Sequence, residues 1–359
     1  MKYFNFIAAV LLSLLYATGK IPPSEKYNLW FTTFIIPGAM VLNTLLLIAA
    51  LLLRKKSSLY YLIPMFIGLP YVMSTVGIKR YFKRHPDGSS FTVLNYNVAN
   101  LQIKQPTALN IDSARMGLRQ MILNPLTDIQ CYQEFVNYPW SKNFNIIDQL
   151  QKENKHFYFS MEDETTHMEY SRVGTLIVSK FPIASHGDIL ASQNGFNRVS
   201  YVDVVIGKDT LRVINVHLES MGLSQYDPRY KKNLTDVKNS TRTILSKLKF
   251  GVFERSKQIK EVANFVQLSP HPVICAGDFN DMPYSYSYQY LKRSMKNTFE
   301  EAGAGLGFTY NGDMLRMLRI DNQFYAGAIS ALDLQTRYDL NGTDHFPIVG
   351  TYKFISRRQ

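Results

Sequence analysis

The stretch VICAGDFN, residues 273–280, joins an apolar strand signal to a pair of polar side chains. A short apolar run bounded by turn residues favours a buried β-strand, here over residues 273–276. Gly277 ends the run, and Asp278 and Asn280 follow it. Taken alone, this segment is compatible with an ordinary Asx turn. Taken together with similar places along the chain, it predicts polar groups at the end of a strand, where layered folds build their sites.

Five further places combine a predicted strand with a chemically useful side chain. They are Asn97 at the end of strand 91–98, Glu134 after 128–133, His217 after 210–216, Asp321 at the start of 320–325, and Asp344 with His345 before 346–354. Each has an ordinary alternative: an exposed carboxylate, a hydrogen-bonded structural histidine, a strand-edge ion partner or a turn cap. Together they offer oxygen ligands and two imidazoles without a thiolate. Such a set favours Mg²⁺, with Mn²⁺ or Ca²⁺ as alternatives, over zinc.

The order of strands and helices after residue 90 predicts an α/β fold. Short runs rich in Val, Ile, Tyr, Phe and Thr are bounded by turn residues, and the turn at 207–209 joins two of them as a hairpin. Helical stretches lie between the runs at 111–123, 143–154, 234–248 and 255–268. This order predicts two sheets packed face to face with helices outside, an α/β sandwich.

The first 80 residues differ from the rest because uncharged apolar runs dominate them. Residues 29–53 and 59–78 carry no charged side chain over 25 and 20 positions. About 20 apolar residues are enough to cross a bilayer. Residues 3–19 form a shorter run, which is also compatible with a cleaved signal peptide. We therefore expect a membrane segment over 1–80 with transmembrane helices at 3–19, 29–53 and 59–78, a linker at 81–90 and a catalytic domain at 91–359.

The formal net charge of +12 belongs mostly to the membrane segment. Residues 1–90 hold ten of the 40 basic and two of the 28 acidic side chains, which leaves the rest of the chain with a net charge of +4. Anionic headgroups attract basic residues beside membrane helices, so this charge is weak support for nucleic-acid binding. We expect a multi-pass protein. The cluster Arg54-Lys55-Lys56 and the signal-like start favour a domain on the extracytoplasmic side, whereas the basic residues at positions 20, 26, 79, 80, 83 and 84 favour the opposite orientation, so both orientations are compatible with the sequence.

Three motifs in this order, DIQCYQE at 128–134, GDFN at 277–280 and TDH at 343–345, resemble those of the endonuclease/exonuclease/phosphatase superfamily. The stretches LNYNVAN (94–100), RVGTLIVSKFPI (172–183), RVINVHLES (212–220) and RIDNQF (319–324) are similar to its remaining motifs, so the resemblance covers residues 91–355. The group includes DNase-I-like nucleases, apurinic endonucleases, neutral sphingomyelinases and inositol-polyphosphate phosphatases. The resemblance implies a four-layer α/β/β/α sandwich of the DNase-I-like type, with the site at one edge.

The resemblance also implies a role for the oxygen ligands. Glu134 is expected to bind the divalent metal, with Asn97 and Asp344 in the same shell. Asp278 and Asn280 are expected to orient the attacking water and the phosphate. A metal held by one or two carboxylates and water is the usual arrangement for Mg²⁺ at a phosphoryl-transfer site.

By the same resemblance, the two histidines take proton-transfer roles. His345 is expected to act as general base or phosphate ligand, held in its tautomer by Asp321. His217 is expected to donate to a non-bridging phosphate oxygen or to assist the leaving group. The sequence departs from the family pattern at Tyr132, where an aliphatic residue is usual, and at Asn322, where an aromatic is common. Both departures affect the pocket wall and leave the metal and proton-transfer positions intact.

We therefore expect a membrane-anchored hydrolase of phosphate esters, a phosphodiesterase, that uses a divalent metal for in-line attack of water. Its expected partners are a phosphoester substrate (a lipid headgroup, a small phosphoester or a nucleic acid) and the lipid bilayer, and the sequence indicates no protein partner. A DNA or RNA nuclease of the same superfamily is the main alternative. A non-catalytic, membrane-tethered binding domain is a further one, against which the intact metal and base positions argue.

A basic run between residues 229 and 260 contains ten Lys and Arg side chains, Arg255 among them, with Tyr and Phe interspersed. One interpretation is a basic, aromatic-edged lip that holds a phosphate backbone or lies on a membrane. The other is the solvated face of two helices, since Lys is mostly exposed in proteins.

Overall fold

The computed structural model describes most of the chain. The described residues are 2–24, 26, 29–56, 58–78, 90–101, 108–161, 172–191, 197–220, 234–312, 316–340 and 342–355. The predicted linker at 81–90 lies outside them except for Ser90, with which the first strand begins.

The elements alternate between strands and helices after an all-helical start. The helices are α1 (Lys2–Thr18), α2 (Thr32–Leu52), α3 (Ser58–Thr75), α4 (Ala108–Leu123), α5 (Ile146–Lys152), α6 (Leu234–Gln267), α7 (Tyr286–Leu291) and α8 (Thr298–Ala302). The strands are β1 (Ser90–Asn97), β2 (Ile129–Asn137), β3 (His156–Met161), β4 (Arg172–Ser179), β5 (Ile183–Ala191), β6 (Arg198–Ile206), β7 (Asp209–His217), β8 (Val273–Asp278), β9 (Lys296–Asn297), β10 (Tyr310–Asn311), β11 (Arg316–Leu318), β12 (Asp321–Ala326), β13 (Ile329–Thr336) and β14 (Ile348–Phe354).

The longer strands form two large mixed sheets. The order is β13-β14-β1-β2-β4-β3 in the first sheet and β5-β6-β7-β8-β12-β9 in the second, while β10 pairs with β11. In the first sheet β1 and β2 run parallel, and in the second β7 and β8 do. Parallel neighbours end at the same edge of a sheet. The carboxyl ends of β1 and β2 therefore lie together, as do those of β7 and β8.

Apolar side chains fill three interfaces between layers. One cluster lies between the sheets and joins Val93 and Ile129 of the first sheet to Val213 and Ile274 of the second. A second cluster packs α6 and α7 on the second sheet, and a third packs α4 and α5 on the first. The domain thus has the expected α/β fold, layered as helix, sheet, sheet and helix.

The main differences from the predicted elements concern α6 and three strands. The helices predicted at 234–248 and 255–268 are one continuous helix, α6. The isolated Gly251 between them does not end it, because a helical glycine costs only about 1 kcal/mol relative to alanine. The strands β3, β5 and β13 were not predicted, and each lies at the edge of its sheet. Edge strands such as β5 are partly exposed on both faces and lack a clear alternating pattern.

The prediction of three membrane-spanning helices is not supported. Among the residues that the structure describes, α2 alone is both long and apolar enough to cross a membrane. The apolar helix α1 has only 17 residues. α3 has 18 residues, and Pro64, Pro70 and three tyrosines reduce its apolar character. The absence of charged residues therefore overestimated the number of membrane-spanning helices, because a segment can lack charge without being hydrophobic enough along its length to cross a bilayer.

The N-terminal helices pack against one another and against the domain. Tyr16 of α1, Ile36 of α2 and Tyr71 of α3 form one buried cluster with Met282 and Tyr284, which follow β8. The Tyr71 hydroxyl donates to the Tyr16 carbonyl oxygen at 2.8 Å. The sequence did not indicate this contact between the helical segment and the segment that follows Asn280.

The end of α3 is also bonded to the domain. Gly77 and Gly305 exchange two backbone hydrogen bonds of 2.8 Å. The Ser74 hydroxyl donates to Glu300 Oε1 at 2.6 Å, and the Arg319 guanidinium donates to the Ser74 carbonyl oxygen. The helical segment is therefore packed on the domain directly, in addition to its covalent connection.

Candidate active site

Three neighbouring strands of the second sheet place polar residues side by side. His217 at the end of β7 is the register partner of Asp278 at the end of β8. Asp278 is in turn the partner of Asp321, the first residue of the antiparallel β12. All three residues are at most 2 % exposed. One edge of the second sheet thus carries two carboxylates and an imidazole.

The first sheet contributes Asn97 from β1 and Glu134 from β2 to the same place. Asn97 Nδ2 donates to Glu134 Oε1 and to Asp278 Oδ2, both at 3.1 Å. The pairing of β2 with β4 is interrupted between Tyr132 and Phe135, and Glu134 has a φ of 49°. Such a bulge re-aims a side chain, and a non-glycine residue rarely adopts a left-handed φ. The strained backbone at Glu134 therefore turns its carboxylate towards the cluster.

The Asp278 carboxylate lies at the centre of the cluster. Its Oδ2 atom is 3.1 Å from Asn97 Nδ2, 3.7 Å from His345 Nε2 and 4.0 Å from His217 Nε2. Its Oδ1 atom accepts the backbone N–H of Asn280 at 2.8 Å. One buried carboxylate thus faces the amide and both imidazoles.

The backbone after β8 depends on a glycine and on Asn280. A Cβ at Gly277 would lie 2.0 Å from the Val216 carbonyl oxygen of β7, so a side chain there would force the two strands apart. Asn280 has a φ of 51°, and its Nδ2 donates to the Leu218 carbonyl oxygen at 3.0 Å. This bond ties Asn280 to the chain just after His217.

His345 and Asp321 form a buried hydrogen-bonded pair. Nδ1 of His345 lies 2.8 Å from Asp321 Oδ2, so the carboxylate places the proton on Nδ1 and leaves Nε2 on the side of Asp278. The Asp321 N–H donates to Thr309 Oγ1 at 3.0 Å, and the Tyr310 ring packs edge-on against the imidazole at a centroid distance of 4.9 Å. The sequence indicated neither Thr309 nor Tyr310, because neither belongs to a motif.

Burial and charge oppose each other in the pKa values of this pair. Burial lowers the pKa of His345, but the charges of Asp321 and Asp278 and the hydrogen bond to Asp321 outweigh it and raise the pKa to about 10. Burial raises the pKa of the Asp321 carboxyl, and the charge of His345 opposes that rise. At neutral pH without a cation, a protonated imidazole therefore lies beside two carboxylates.

His217 and Asp344 complete the predicted set. His217 Nε2 lies 3.6 Å from Glu134 Oε1. Asp344 is half-buried, and its charge contributes to the raised pKa of His345. Its backbone carbonyl accepts the N–H of Asn311 at 2.8 Å. The assignment of Asp344 to the metal rests on the sequence motif and stays a prediction.

The donor set fits a hard divalent cation. Glu134 and Asp278 direct carboxylate oxygens at the Asn97 amide, and the buried Asp321 Oδ1 has no hydrogen-bond partner among the residues that the structure describes. A side-chain amide presents either its nitrogen or its oxygen after a half-turn of the group. Carboxylate and amide oxygens are the ligands that Mg²⁺ and Ca²⁺ prefer.

A second group of possible ligands stands close together beside this one. Among the described residues, Asp278, Asp321 and His345 have ligand atoms within 4.8 Å of one another. The family resemblance implies proton-transfer roles for Asp321 and His345 instead. Asp321 and His345 are hydrogen-bonded to each other. Asp278 is therefore the one of these three possible ligands that faces both this pair and Asn97.

Arg255 holds together the segments that carry the site, although in the sequence it is one residue of a basic run. It is fully buried, with Nε 3.3 Å from Asp281 Oδ2, and its Nη1 donates to the Glu219 carbonyl oxygen at 2.8 Å. It therefore ties α6 to the segments that carry Asn280 and His217. A basic run does not distinguish this side chain from its exposed neighbours. The apolar residues three before it and four after it were the available signal.

A family model described as Endonuclease/Exonuclease/phosphatase family matches residues 94–345, a span that contains every site residue named above. The chain belongs to this family. Members of the endonuclease/exonuclease/phosphatase family are phosphoester hydrolases and generally depend on a divalent metal, so the chain is an enzyme of the phosphoric ester hydrolase class. The expected family and enzyme class are confirmed.

Solved structures similar to this family member are distant in sequence. The endonuclease/exonuclease/phosphatase from Beutenbergia cavernae DSM 12333 is 15% identical, with a TM-score of 0.54 over 75% of this chain and 72% of that chain. The human Nocturnin catalytic domain with bound sulfate anion is 14% identical, with a TM-score of 0.51 over 77% and 99%. TDP2 from Caenorhabditis elegans is 18% identical, with a TM-score of 0.50 over 75% and 77%. These similarities show the fold alone. No curated protein matches the sequence significantly.

Proposed function

We propose that the chain is a membrane-anchored, divalent-metal-dependent phosphodiesterase that cleaves its substrate by in-line attack of water. The observation that carries the proposal is the convergence of Asn97, His217 and His345 on the buried carboxylate of Asp278. Phosphate ester cleavage needs charge neutralisation on the phosphoryl oxygens and an aligned nucleophile. The oxygen ligands on one side of the Asp278 carboxylate can hold a cation that neutralises charge. The imidazoles on its other side can align the nucleophile and move protons.

We assign the metal to Glu134 and Asn97, with Asp344 as the third protein ligand. A bound cation would neutralise charge on the phosphoryl oxygens and lower the pKa of water. The contact between Asn97 and Glu134 and the left-handed backbone of Glu134 support the first two assignments. The choice of Mg²⁺ is supported by the oxygen-rich donor set, since Cys131 and Cys275 belong to apolar core clusters.

The remaining residues position water and move protons. Asp278 and Asn280 orient the attacking water and the phosphate. His345 accepts a proton at Nε2, because Asp321 engages its Nδ1 atom. Positive charge next to Asp278 lowers the pKa of His345 towards neutrality, which prepares the imidazole to act as a base. His217 donates to a non-bridging phosphate oxygen or to the leaving group.

The proposal includes membrane anchoring through the N-terminal helices. Their outer faces expose many large apolar side chains, for example Leu14 on α1, Leu45 on α2 and Phe66 on α3. Monomeric soluble proteins rarely expose apolar patches larger than a few hundred Å². A bilayer that covers these faces removes the exposed apolar area, and the basic residues 54–56 then meet anionic headgroups.

The test is hydrolysis of bis-p-nitrophenyl phosphate by the full chain in detergent, with Mg²⁺ and after chelation. We expect chelation to abolish hydrolysis and Mg²⁺ to restore it. Glu134→Gln and His345→Gln should each lower kcat on the order of a hundredfold or more. Glu153→Gln, an exposed carboxylate at the end of α5, is the matched control and should leave the rate unchanged. Rates in both site variants equal to that of the control would refute the proposal.

A substrate panel separates the phosphodiesterase from the nuclease alternative. We expect hydrolysis of lipid or small phosphodiesters that changes little with salt. Nicking of plasmid DNA with a steep salt dependence would favour a nuclease, because backbone binding weakens strongly as salt rises. The net charge of +4 outside residues 1–90 gives that alternative little support.

A further inference from the structure

Helix α6 has two halves of different character. From Gly251 onward it buries a stripe of side chains that includes Val252, Arg255, Ile259 and Val262. Between residues 241 and 250, none of the side chains is buried. The second half is therefore part of the outer layer of the domain. The first half, of which the structure describes the side chains of residues 241–250, projects from it.

The projecting half extends past the catalytic edge. α6 connects the parallel strands β7 and β8, so it runs antiparallel to them and begins at their carboxyl ends. Its contact with the end of β7 is made by Arg255, which bonds the Glu219 carbonyl oxygen, and by Gly251, which lies close to the Ser220 carbonyl oxygen. Residues 234–250 therefore continue beyond His217 by about 25 Å of helix at 1.5 Å per residue.

One face of this half combines basic and large apolar side chains. Arg242, Leu245, Ser246, Lys249 and Phe250 recur at the spacing of one helical face. Leu245 and Phe250 are 48% and 58% exposed. Residues 241–250 contain no acidic side chain. Lys and Arg beside exposed Leu and Phe on a helix fit the interface of an anionic bilayer, where the charges meet headgroups and the apolar groups enter the acyl boundary.

The projecting half lies at the same edge of the domain as the N-terminal helices. Tyr284, six residues after Asp278, packs against Tyr71 of those helices and belongs to the same buried cluster as Tyr16. Helix α7 follows it directly and packs against α6, where Lys260 lies over the Tyr286 ring. The apolar helices and the exposed face of α6 therefore both belong to the edge that carries the catalytic cluster.

We propose that residues 241–250 of α6 form a membrane-surface segment that lies on anionic lipid headgroups beside the catalytic edge. The proposal rests on the membrane anchoring in the proposed function and deepens it, because it brings the catalytic edge close to a bilayer surface. The phosphoester that this edge receives is then one presented at a membrane.

The test places an environment-sensitive dye on the full chain through Ser246→Cys. The two native cysteines are buried, so the introduced thiol is labelled selectively. The labelled protein is reconstituted into vesicles of phosphatidylcholine, alone or with about 30% phosphatidylserine. We expect a blue shift of the emission in the anionic vesicles. Ser185→Cys, at the opposite end of the second sheet, is the matched label site and should show no shift.

Charge reversal then tests the basic face. Arg242→Glu combined with Lys249→Glu in the Ser246→Cys protein should reduce the fraction of protein with blue-shifted emission about tenfold. Lys208→Glu, in the turn between β6 and β7, is the matched control and should keep the shift. Emission that is the same in both vesicle types, or a shift that survives the double charge reversal, overturns the proposal. A shift caused by a single-stranded oligonucleotide and not by vesicles overturns it in favour of nucleic-acid binding.

Parallel assays distinguish this proposal from the proposed function. Flotation of the full chain with vesicles reports anchoring, and hydrolysis of bis-p-nitrophenyl phosphate reports catalysis. Loss of the dye response with flotation and hydrolysis retained overturns the docking of α6 alone. Absence of hydrolysis with the dye response retained overturns the catalytic proposal and leaves the docking supported.

Discussion

At the scale of single residues, the site is a concentration of negative charge. Glu134 and Asp278 share the Asn97 amide, and Asp321 lies one strand away from Asp278. Buried charges of one sign are costly unless a partner balances them. In the cation-free protein, the protonated imidazole of His345 supplies part of that balance. The same arrangement of negative charges attracts a divalent cation, so the carboxylates already lie close together in the cation-free protein.

The raised pKa of His345 predicts that the cation-free protein loses stability as the pH rises from about 6.5 towards 10. The folded protein holds this proton more tightly than the unfolded chain, in which the pKa is about 6.5. The stabilising contribution is complete below pH about 6.5 and is lost as the pH rises through about 10. Thermal unfolding of the full chain in detergent with a chelator measures it.

The control for this prediction is a second histidine. His345→Gln should flatten the pH dependence, whereas His156→Gln, on the exposed first residue of β3, should leave it as in the wild type. A wild-type melting temperature that stays level or rises over this pH range would contradict the prediction.

Asp321→Asn tests the hydrogen-bonded pair through the rate. The amide bonds Nδ1 of His345 in either orientation and no longer selects the tautomer that leaves Nε2 free to accept a proton. We expect kcat to fall on the order of a hundredfold with little change in KM. Asp339→Asn, an exposed carboxylate paired with Arg337, is the control. A wild-type rate for Asp321→Asn would show that the pair has no part in catalysis.

At the scale of elements, two parallel strand pairs bring the cluster together. β1 and β2 carry Asn97 and Glu134, and β7 and β8 carry His217 and Asp278. The sequence predicted most of these strands because an apolar run is a local signal. It did not predict the bulge in β2, which depends on how β2 pairs with β4. The direction of the Glu134 side chain was therefore not available from the sequence.

Arg255 connects α6 to this edge, and its removal should destabilise the domain. Arg255→Met leaves the buried carboxylate of Asp281 without its positive partner, which costs about 3–5 kcal/mol for a broken buried pair. Lys257→Met on the same helix breaks an exposed pair with Glu254 and should cost at most about 1 kcal/mol. Thermal or denaturant unfolding measures both. Equal melting temperatures of the two variants would contradict a structural role for Arg255.

At the scale of the whole molecule, the N-terminal helices and the domain share a core. Tyr71 and Tyr284 are in contact, and the network of Ser74, Glu300 and Lys292 joins α3 to the helices of the domain. The sequence pattern instead indicated a membrane segment attached through a linker. Hydropathy and charge describe each segment separately, so they contain no information about contacts between segments.

This shared core predicts that the domain alone is less stable than the full chain. A protein of residues 88–359 lacks the helices that cover Met282 and Tyr284, and Glu300 loses its bond from Ser74. We expect a lower melting temperature and stronger binding of an apolar dye. Tyr284→Phe in the full chain removes only the hydroxyl contact with Thr75 and should cost about 1 kcal/mol. Equal melting temperatures of the truncated and full-length proteins would contradict the prediction.

By itself, the sequence determined the residue types that suit a hard cation and phosphate chemistry and the strands that carry them. It did so because ligand chemistry and strand signals are properties of short stretches. Only the tertiary structure decided which side chains meet. Asn97 and Asp278 are 181 positions apart, and their hydrogen bond depends on how the two sheets pack. The burial of Arg255, the course of α6 beyond the catalytic edge and the docking of the N-terminal helices likewise depend on contacts between distant parts of the chain.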